Sequence, residues 1–290
     1  MSSKFEFKPK LLSVLKNYSK ADFSTDLMAG IIVGIVALPL AIAFGIASGV
    51  SPEKGIITAI VAGFIISFLG GSKVQIGGPT GAFIVIIYGI IQEYGIEGLM
   101  VATLLAGVLL VLLGAFKLGT VIKFIPYPII VGFTSGIAVT IFTTQIADIF
   151  GLDFQGEKVP GDFIGKWLIY FRHFDSVNWW NATVSIISVF IIAITPKFSK
   201  KIPGSLIAIV VVTAAVYCIK TYAGITSIDT IGDRFSIQAQ LPEANVPSLD
   251  WEAIKNLFPV AVTIAVLGAI ESLLSATVAD GVIGDRHDSN

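Results

Sequence analysis

The sequence predicts an all-α polytopic membrane protein, and three observations carry that prediction. Apolar residues make up 54% of the 290 residues and charged residues only 13%, about half the usual ~25% of a soluble chain. Mean hydropathy is +0.86, and a chain so poor in charge cannot cover the surface of a soluble domain. Seven stretches, at 27–48, 55–70, 98–116, 128–149, 179–195, 203–221 and 257–280, are apolar runs near the length of about 20 residues that a helix needs to cross the hydrocarbon core. An eighth, at 79–91, is too short to cross and follows Gly77-Gly78-Pro79-Thr80-Gly81.

Residues 1–26 read as a cytoplasmic segment rather than a cleavable signal. Lysines 4, 8, 10, 16 and 20 are spread among Glu6, Asp22 and Asp26, with no short apolar core and small-residue cleavage site before the first span. Leu11, Leu12, Val14 and Leu15 recur at the spacing of a short helix on the membrane surface; a disordered basic tail is the other reading. An even number of elements puts both termini on one side. With the N-terminus inside, that side receives the five tail lysines, Lys73, Lys117, Lys123, Lys197, Lys200, Lys201 and Arg286, twelve of the 19 cations. The cation bias therefore favours a cytoplasmic N-terminus.

Two longer connections, 150–178 and 222–256, then face outward. Trp167, Tyr170, Trp179 and Trp180 suit the first to the headgroup layer. Ile228, Ile231, Phe235, Ile237 and several prolines suggest short strands or an extended cap in the second. His173 reads as a surface residue and Asp148 as interfacial. Asp280, Asp285, Asp288 and His287 read as a solvated loop, with only a loose likeness to metal ligands. Lys+Arg (19) balances Asp+Glu (20), so no basic field argues for nucleic acid. Cys218 stands alone, which removes an intramolecular disulfide framework. No Ser-His-Asp or zinc-ligand spacing argues for an enzyme, and nothing calls for a cofactor.

Two features inside the membrane point to a site. Pro79 suits the first turn of a helix, and an element this short places that helix start at membrane depth, where irregular backbone is tolerated only when buried or lining a cavity. The N–H groups of Thr80, Gly81 and Ala82, with the helix dipole, would attract an anion; a plain re-entrant turn is the alternative. Glu271 lies in an otherwise apolar helix, where a carboxylate is expensive and usually functional. Ser275 follows one turn later on the same face. Together they suit a coupling proton or Na⁺ beside a transported anion, unless Glu271 reaches interfacial water near the span's end. Pro39 predicts a kink in the first span, whose many glycines and alanines permit close helix packing.

The run from Asp26 to Phe44 (DLMAGIIVGIVALPLAIAF) resembles the first transmembrane helix of the SulP anion transporters, the sulfate permease or solute carrier 26-like family. Gly70-Gly71-Ser72 with Gly77-Gly78-Pro79-Thr80 resembles its third-helix entry. Glu271-Ser-Leu-Leu-Ser275-Ala-Thr-Val-Ala-Asp280-Gly and Arg286-His-Asp-Ser-Asn290 resemble its eighth helix and following loop. The resemblance implies a UraA-like fold of seven plus seven elements in inverted repeats, followed by a STAS domain, of which this chain would be the first half. Residues 27–280 would be the first repeat plus the eighth element and 281–290 the start of a cytoplasmic loop, with the STAS domain absent.

By the same resemblance, Phe44, Leu40, Pro79, Thr80 and Gly81 would line the substrate site, while Glu271 and Ser275 would hold the coupling ion. Sodium-coupled relatives carry Asp where Glu271 stands, which tilts the expectation towards H⁺ over Na⁺. The implied function is secondary active transport of an inorganic oxyanion, sulfate or bicarbonate, by alternating access. A homodimer in the full-length protein is a further expectation. A nucleobase permease of the same architecture and an anion channel are the alternatives.

Overall fold

The computed structural model describes residues 7–119, 127–198, 202–235 and 247–289. Lys4, Lys123, Lys200, Lys201 and Ile237, used above, lie outside them. Ten helices carry the described chain: α1 (Lys10–Val14), α2 (Lys20–Ala47), α3 (Pro52–Leu69), α4 (Ile84–Ala115), α5 (Tyr127–Phe150), α6 (Phe163–Arg172), α7 (Trp179–Phe198), α8 (Gly204–Ala223), α9 (Ile231–Arg234) and α10 (Trp251–Ile283). Seven are long and apolar enough to cross a membrane, α4 being counted with the 3₁₀ turn Gly81–Phe83 that leads into it. Bulky apolar residues such as Phe64 and Val111 are exposed on them, as expected of lipid-facing surface.

The ends of these helices follow from local chemistry. Ser19 starts α2 through a capping box: Asp22 N–H donates to the Ser19 hydroxyl at 3.1 Å and Ser19 N–H to the Asp22 carboxylate at 2.9 Å. The helix continues past Pro39 and stops before Gly49, whose φ of +82° suits a residue without Cβ. Asp250 caps α10 by accepting from Ala253 N–H at 2.6 Å. At its other end Gly284 takes the left-handed conformation that ends many helices.

The predicted short element and its neighbour are both present. α4 spans Ile84–Ala115 but breaks at Gly95, where φ is 70° and ψ −174°. About eleven residues of helix thus precede the break, near 16 Å at 1.5 Å per residue, half of what a bilayer core requires.

Small residues set the helix contacts. A Cβ on Gly55 of α3 would lie 2.2 Å from the Ala41 carbonyl oxygen of α2 and 3.3 Å from Gly45 Cα. Backbone therefore meets backbone in this hairpin, close packing that small residues allow. The second half of α4 packs on α10 through Ala102 and Ala106 against Ala261 and Ala265, with Val101 and Leu257 beside them. α7 pairs with α8.

Three expectations are corrected. The 222–256 connection holds no strand among the described residues; Ile231–Arg234 is a helical turn under a Thr230–Asp233 capping box. His173 is buried rather than on the surface, its Nδ1 3.1 Å from the Ile169 carbonyl at the end of α6. The segment around Asp280–Asp288 is docked rather than a solvated loop. His287 Nδ1 lies 2.7 Å from the Asp280 carboxylate and Lys73 Nζ 2.7 Å from Asp285. Asp288 N–H donates to the Gly71 carbonyl at 3.0 Å.

Candidate functional site

The approach to the half-helix is extended because its residues require it. A residue before proline is pushed out of the helical region, and a Cβ on Gly77 would strike Ile66 of α3 at 2.0 Å. A residue with that atom would fit here only if the Ile66 side chain turned aside. Thr80 is extended at φ −130°, ψ 143°, after which Gly81–Phe83 winds as a 3₁₀ turn into α4. A Cβ at Gly81 would meet Ile141 of α5 at 2.3 Å and the Phe44 ring of α2 at 3.5 Å. The start of the half-helix is thus wedged between two other spans, and Phe44 is itself buried.

Thr80 joins this helix start to α10. Its hydroxyl accepts from Ala82 N–H at 3.5 Å and donates to the Glu271 carboxylate. A hydroxyl carries one proton, and here that proton is committed to Glu271. Of the three N–H groups expected to face an anion, Ala82's is therefore taken by the cap, and those of Thr80 and Gly81 are left. A second tie runs beside the first: Gln75 Nε2 donates to the Ser272 carbonyl at 2.9 Å and its hydroxyl at 3.3 Å.

Phe44, Thr80, Gly81 and Glu271 are therefore brought together, with partly buried Pro79 next to them in the chain. Leu40 remains 50% exposed on α2. Ser275 is exposed and makes no hydrogen bond among the described residues, so the structure does not join it to Glu271. Gln75 was missed by sequence reasoning. A polar side chain between Val74 and Ile76 was its only signal, and its partner lies 197 positions away.

Beyond the start of α2, the ends of several elements are laced by charge. Besides Lys73, Lys10 lies 4.0 Å from Asp285, and Lys10 Nζ donates to the Arg286 carbonyl at 3.0 Å. The Lys73 hydrogen bond holds the Asp285 carboxyl below its ordinary range. Among the described residues no group of three or more His, Cys, Asp or Glu is arranged to hold a metal ion.

Residues 23–290 match the sequence model of the sulfate permease family. The chain belongs to this family. It is 46% identical over 95% of its length to YvdB of Bacillus subtilis (strain 168), whose name assigns it provisionally to sulfate transport, and covers 51% of that protein. It is 30% identical over 82% of its length to the bicarbonate transporter BicA of Picosynechococcus, covering 42% of that protein. The solved transmembrane domain of a cyanobacterial BicA superposes with a TM-score of 0.72 at 28% identity, over 91% of this chain and 67% of that one. SLC26A9 shares the fold, with a TM-score of 0.73 at 17% identity over 97% of this chain and 47% of that one. The chain spans about half the length of the curated relatives it matches. Its helical membrane fold, first read from the sequence, is that of the BicA transmembrane domain and of SLC26A9.

Proposed function

We propose that this chain supplies one half of the working site of a secondary active transporter for an inorganic oxyanion, sulfate or bicarbonate, with H⁺ or Na⁺ coupled through Glu271. The observation that carries the reading is the Thr80 hydroxyl, which touches both the start of the half-helix and the Glu271 carboxylate. An anion at the Thr80 and Gly81 N–H groups gains from the helix dipole but sits near an ionised carboxylate. Two like charges ~8 Å apart repel by about 2 kcal/mol at an effective dielectric constant near 20, roughly a thirtyfold loss of affinity. A proton or Na⁺ on Glu271 removes that penalty, so cation and anion bind better together than apart. Such mutual assistance is the thermodynamic requirement for coupled transport.

The excess of cations on the N-terminal side supports a cytoplasmic N-terminus. Phe44 and Ile141, packed around Gly81, exclude water from the helix start and strengthen its pull on the anion. The test is uptake of labelled sulfate and bicarbonate by the full-length protein in proteoliposomes under imposed H⁺ and Na⁺ gradients. Thr80→Trp, which fills the helix start, is expected to abolish uptake while the protein remains folded. Normal uptake by a folded Thr80→Trp protein would place the anion elsewhere.

A further inference from the structure

A second cavity, of about 650 Å³, lies between the C-terminal half of α2, the end of the half-helix, α5, α6, α7 and the turn at α9. It is distinct from the Thr80–Glu271 contact, none of whose residues line it, and reaches Ile42 and Ala43 beside Phe44. Its wall includes Lys166 and Tyr170, one turn apart on α6. Lys166 is only 9% exposed and Tyr170 only 4%. Neither side chain has a hydrogen-bond or ion-pair partner among the described residues. Both polar ends therefore look into the cavity.

The orientation of α6 is the telling feature. Ile164, Leu168 and Phe171 point outward and are 62–71% exposed, whereas Lys166, Ile169, Tyr170 and His173 form the buried face. A lysine on a membrane-surface helix ordinarily sends its ammonium to water, yet here apolar residues take the outside and the cation the inside. Burial pushes the Lys166 ammonium below its ordinary range, offset only in part by Asp162. Asp162's carboxylate is engaged in capping α6, accepting from Gly165 N–H at 2.6 Å. Burial likewise pushes the Tyr170 hydroxyl up to about 12, so it remains a donor across the physiological range. The cavity's two carboxylates, Asp148 and Asp229, are both held by Arg234, at 3.5 and 2.8 Å. Lys158 adds an exposed cation at the rim. Against these two carboxylates the lining carries three cations, Arg234, Lys166 and Lys158, an excess of one positive charge, and the free side-chain ends at Lys166 and Tyr170 are donors.

We infer that this cavity is a second anion site, in which Lys166 and Tyr170 receive a free inorganic oxyanion at the mouth of the path towards Phe44 and Gly81. That role as a loading site rests on the transport reading above; the binding itself does not. An oxyanion accepts from the ammonium and the phenol together, replacing water that both donor atoms still reach in the cavity.

The detergent-solubilised full-length protein is titrated with sulfate against gluconate at constant ionic strength. Tryptophan fluorescence reports the site, since Trp167 follows Lys166 in the chain and Trp180 precedes Asn181 of the cavity wall. Saturable quenching is expected in the wild type. Lys166→Gln and Tyr170→Phe are each expected to weaken it about tenfold or more, the range for hydrogen bonds to a charged group, with Lys166→Arg retaining most of the affinity. Tyr170→Phe guards against a Lys166 variant that fails to fold. Equal affinity in wild type, Lys166→Gln and Tyr170→Phe overturns the site, as does quenching by phosphatidylglycerol micelles but not by sulfate. Uptake separates this inference from the transport reading. Sulfate binding that depends on Lys166 in a protein without gradient-driven uptake keeps the site and sinks the reading. Normal uptake at limiting sulfate in Lys166→Gln, with unchanged quenching, does the reverse.

Discussion

Where α1, the α3–α4 connection and the end of α10 meet, Lys10, Lys73 and His287 all find carboxylates; beside the C-terminal half of α2, Lys166 makes no ion pair, and Asp162, the acid that acts on it, is engaged in capping α6. The first group joins segments far apart in sequence, Lys10 to Asp285 and Gly71 to Asp288. Paired and partly exposed charges of this kind hold the chain in register and are worth little energy singly. Lys166 is largely buried as a side chain, yet its ammonium keeps contact with water in the cavity and bonds to no carboxylate, which leaves that donor open to a ligand. The difference separates cations that close the structure from one that waits for a ligand.

The comparison presupposes one frame that fixes both ends, and the α2–α3 clasp is that frame. Gly55→Ala should cause the largest effect. Its Cβ would lie 2.2 Å from the Ala41 carbonyl, forcing the helices apart at a cost of about 3 kcal/mol or more. A melting curve in detergent should show a fall of many degrees, with loss of sulfate quenching at the far end. A Gly55→Ala protein as stable as the wild type would mean that the two ends do not share this frame.

Lys166→Met sharpens the contrast from the other side. Replacing a cation that burial disfavours by an apolar chain of similar length should leave stability unchanged or slightly raised, read as a melting temperature without sulfate no lower than that of the wild type. Added sulfate should stabilise the wild type and leave this variant unmoved. A variant less stable than the wild type would mark Lys166 as a structural cation like those opposite.

Asp285→Asn should have the smallest effect, a fall in melting temperature well short of that of Gly55→Ala, because both partners are partly exposed and screened by water. Its pH dependence has a definite sign. The Asp285 carboxyl is held below its ordinary range, so its contribution is complete above the unfolded value near pH 4 and is lost as the pH falls through the folded value. Wild type and Asp285→Asn should therefore differ in stability at neutral pH and converge in acid. A constant difference from pH 7 down to pH 2 would remove Asp285 from the docking.

The spans, the half-helix and the positions of Thr80, Gly81 and Glu271 were legible in the sequence because each breaks a local rule. Glycine and proline interrupt an apolar run, and a carboxylate interrupts another. The partnership of Thr80 with Glu271 was not legible in periodicity, since 191 residues separate them, and the family resemblance gave the two residues separate roles without joining them. α6 was hidden for a different reason. Its inward positions 166, 169, 170 and 173 have helical spacing, but Trp167 and Tyr170, taken with Trp179 and Trp180, read as aromatic residues of the headgroup layer, whereas Tyr170 is buried. In water the buried face is the apolar one, and beside lipid that rule reverses. The docking of Asp280–Asp288 was lost because its partners, Lys10, Gly71 and Lys73, lie some 200 residues or more earlier.

The central claim is that Glu271, bound to Thr80 at the start of the half-helix, couples a cation to an oxyanion. Gradient-driven uptake of labelled sulfate and bicarbonate by full-length wild type and Glu271→Gln, in the same proteoliposomes, tests it most directly. The account predicts that Glu271→Gln keeps its fold and its anion binding but loses the response to the H⁺ or Na⁺ gradient. Uptake in Glu271→Gln that follows the gradient as in the wild type would contradict it.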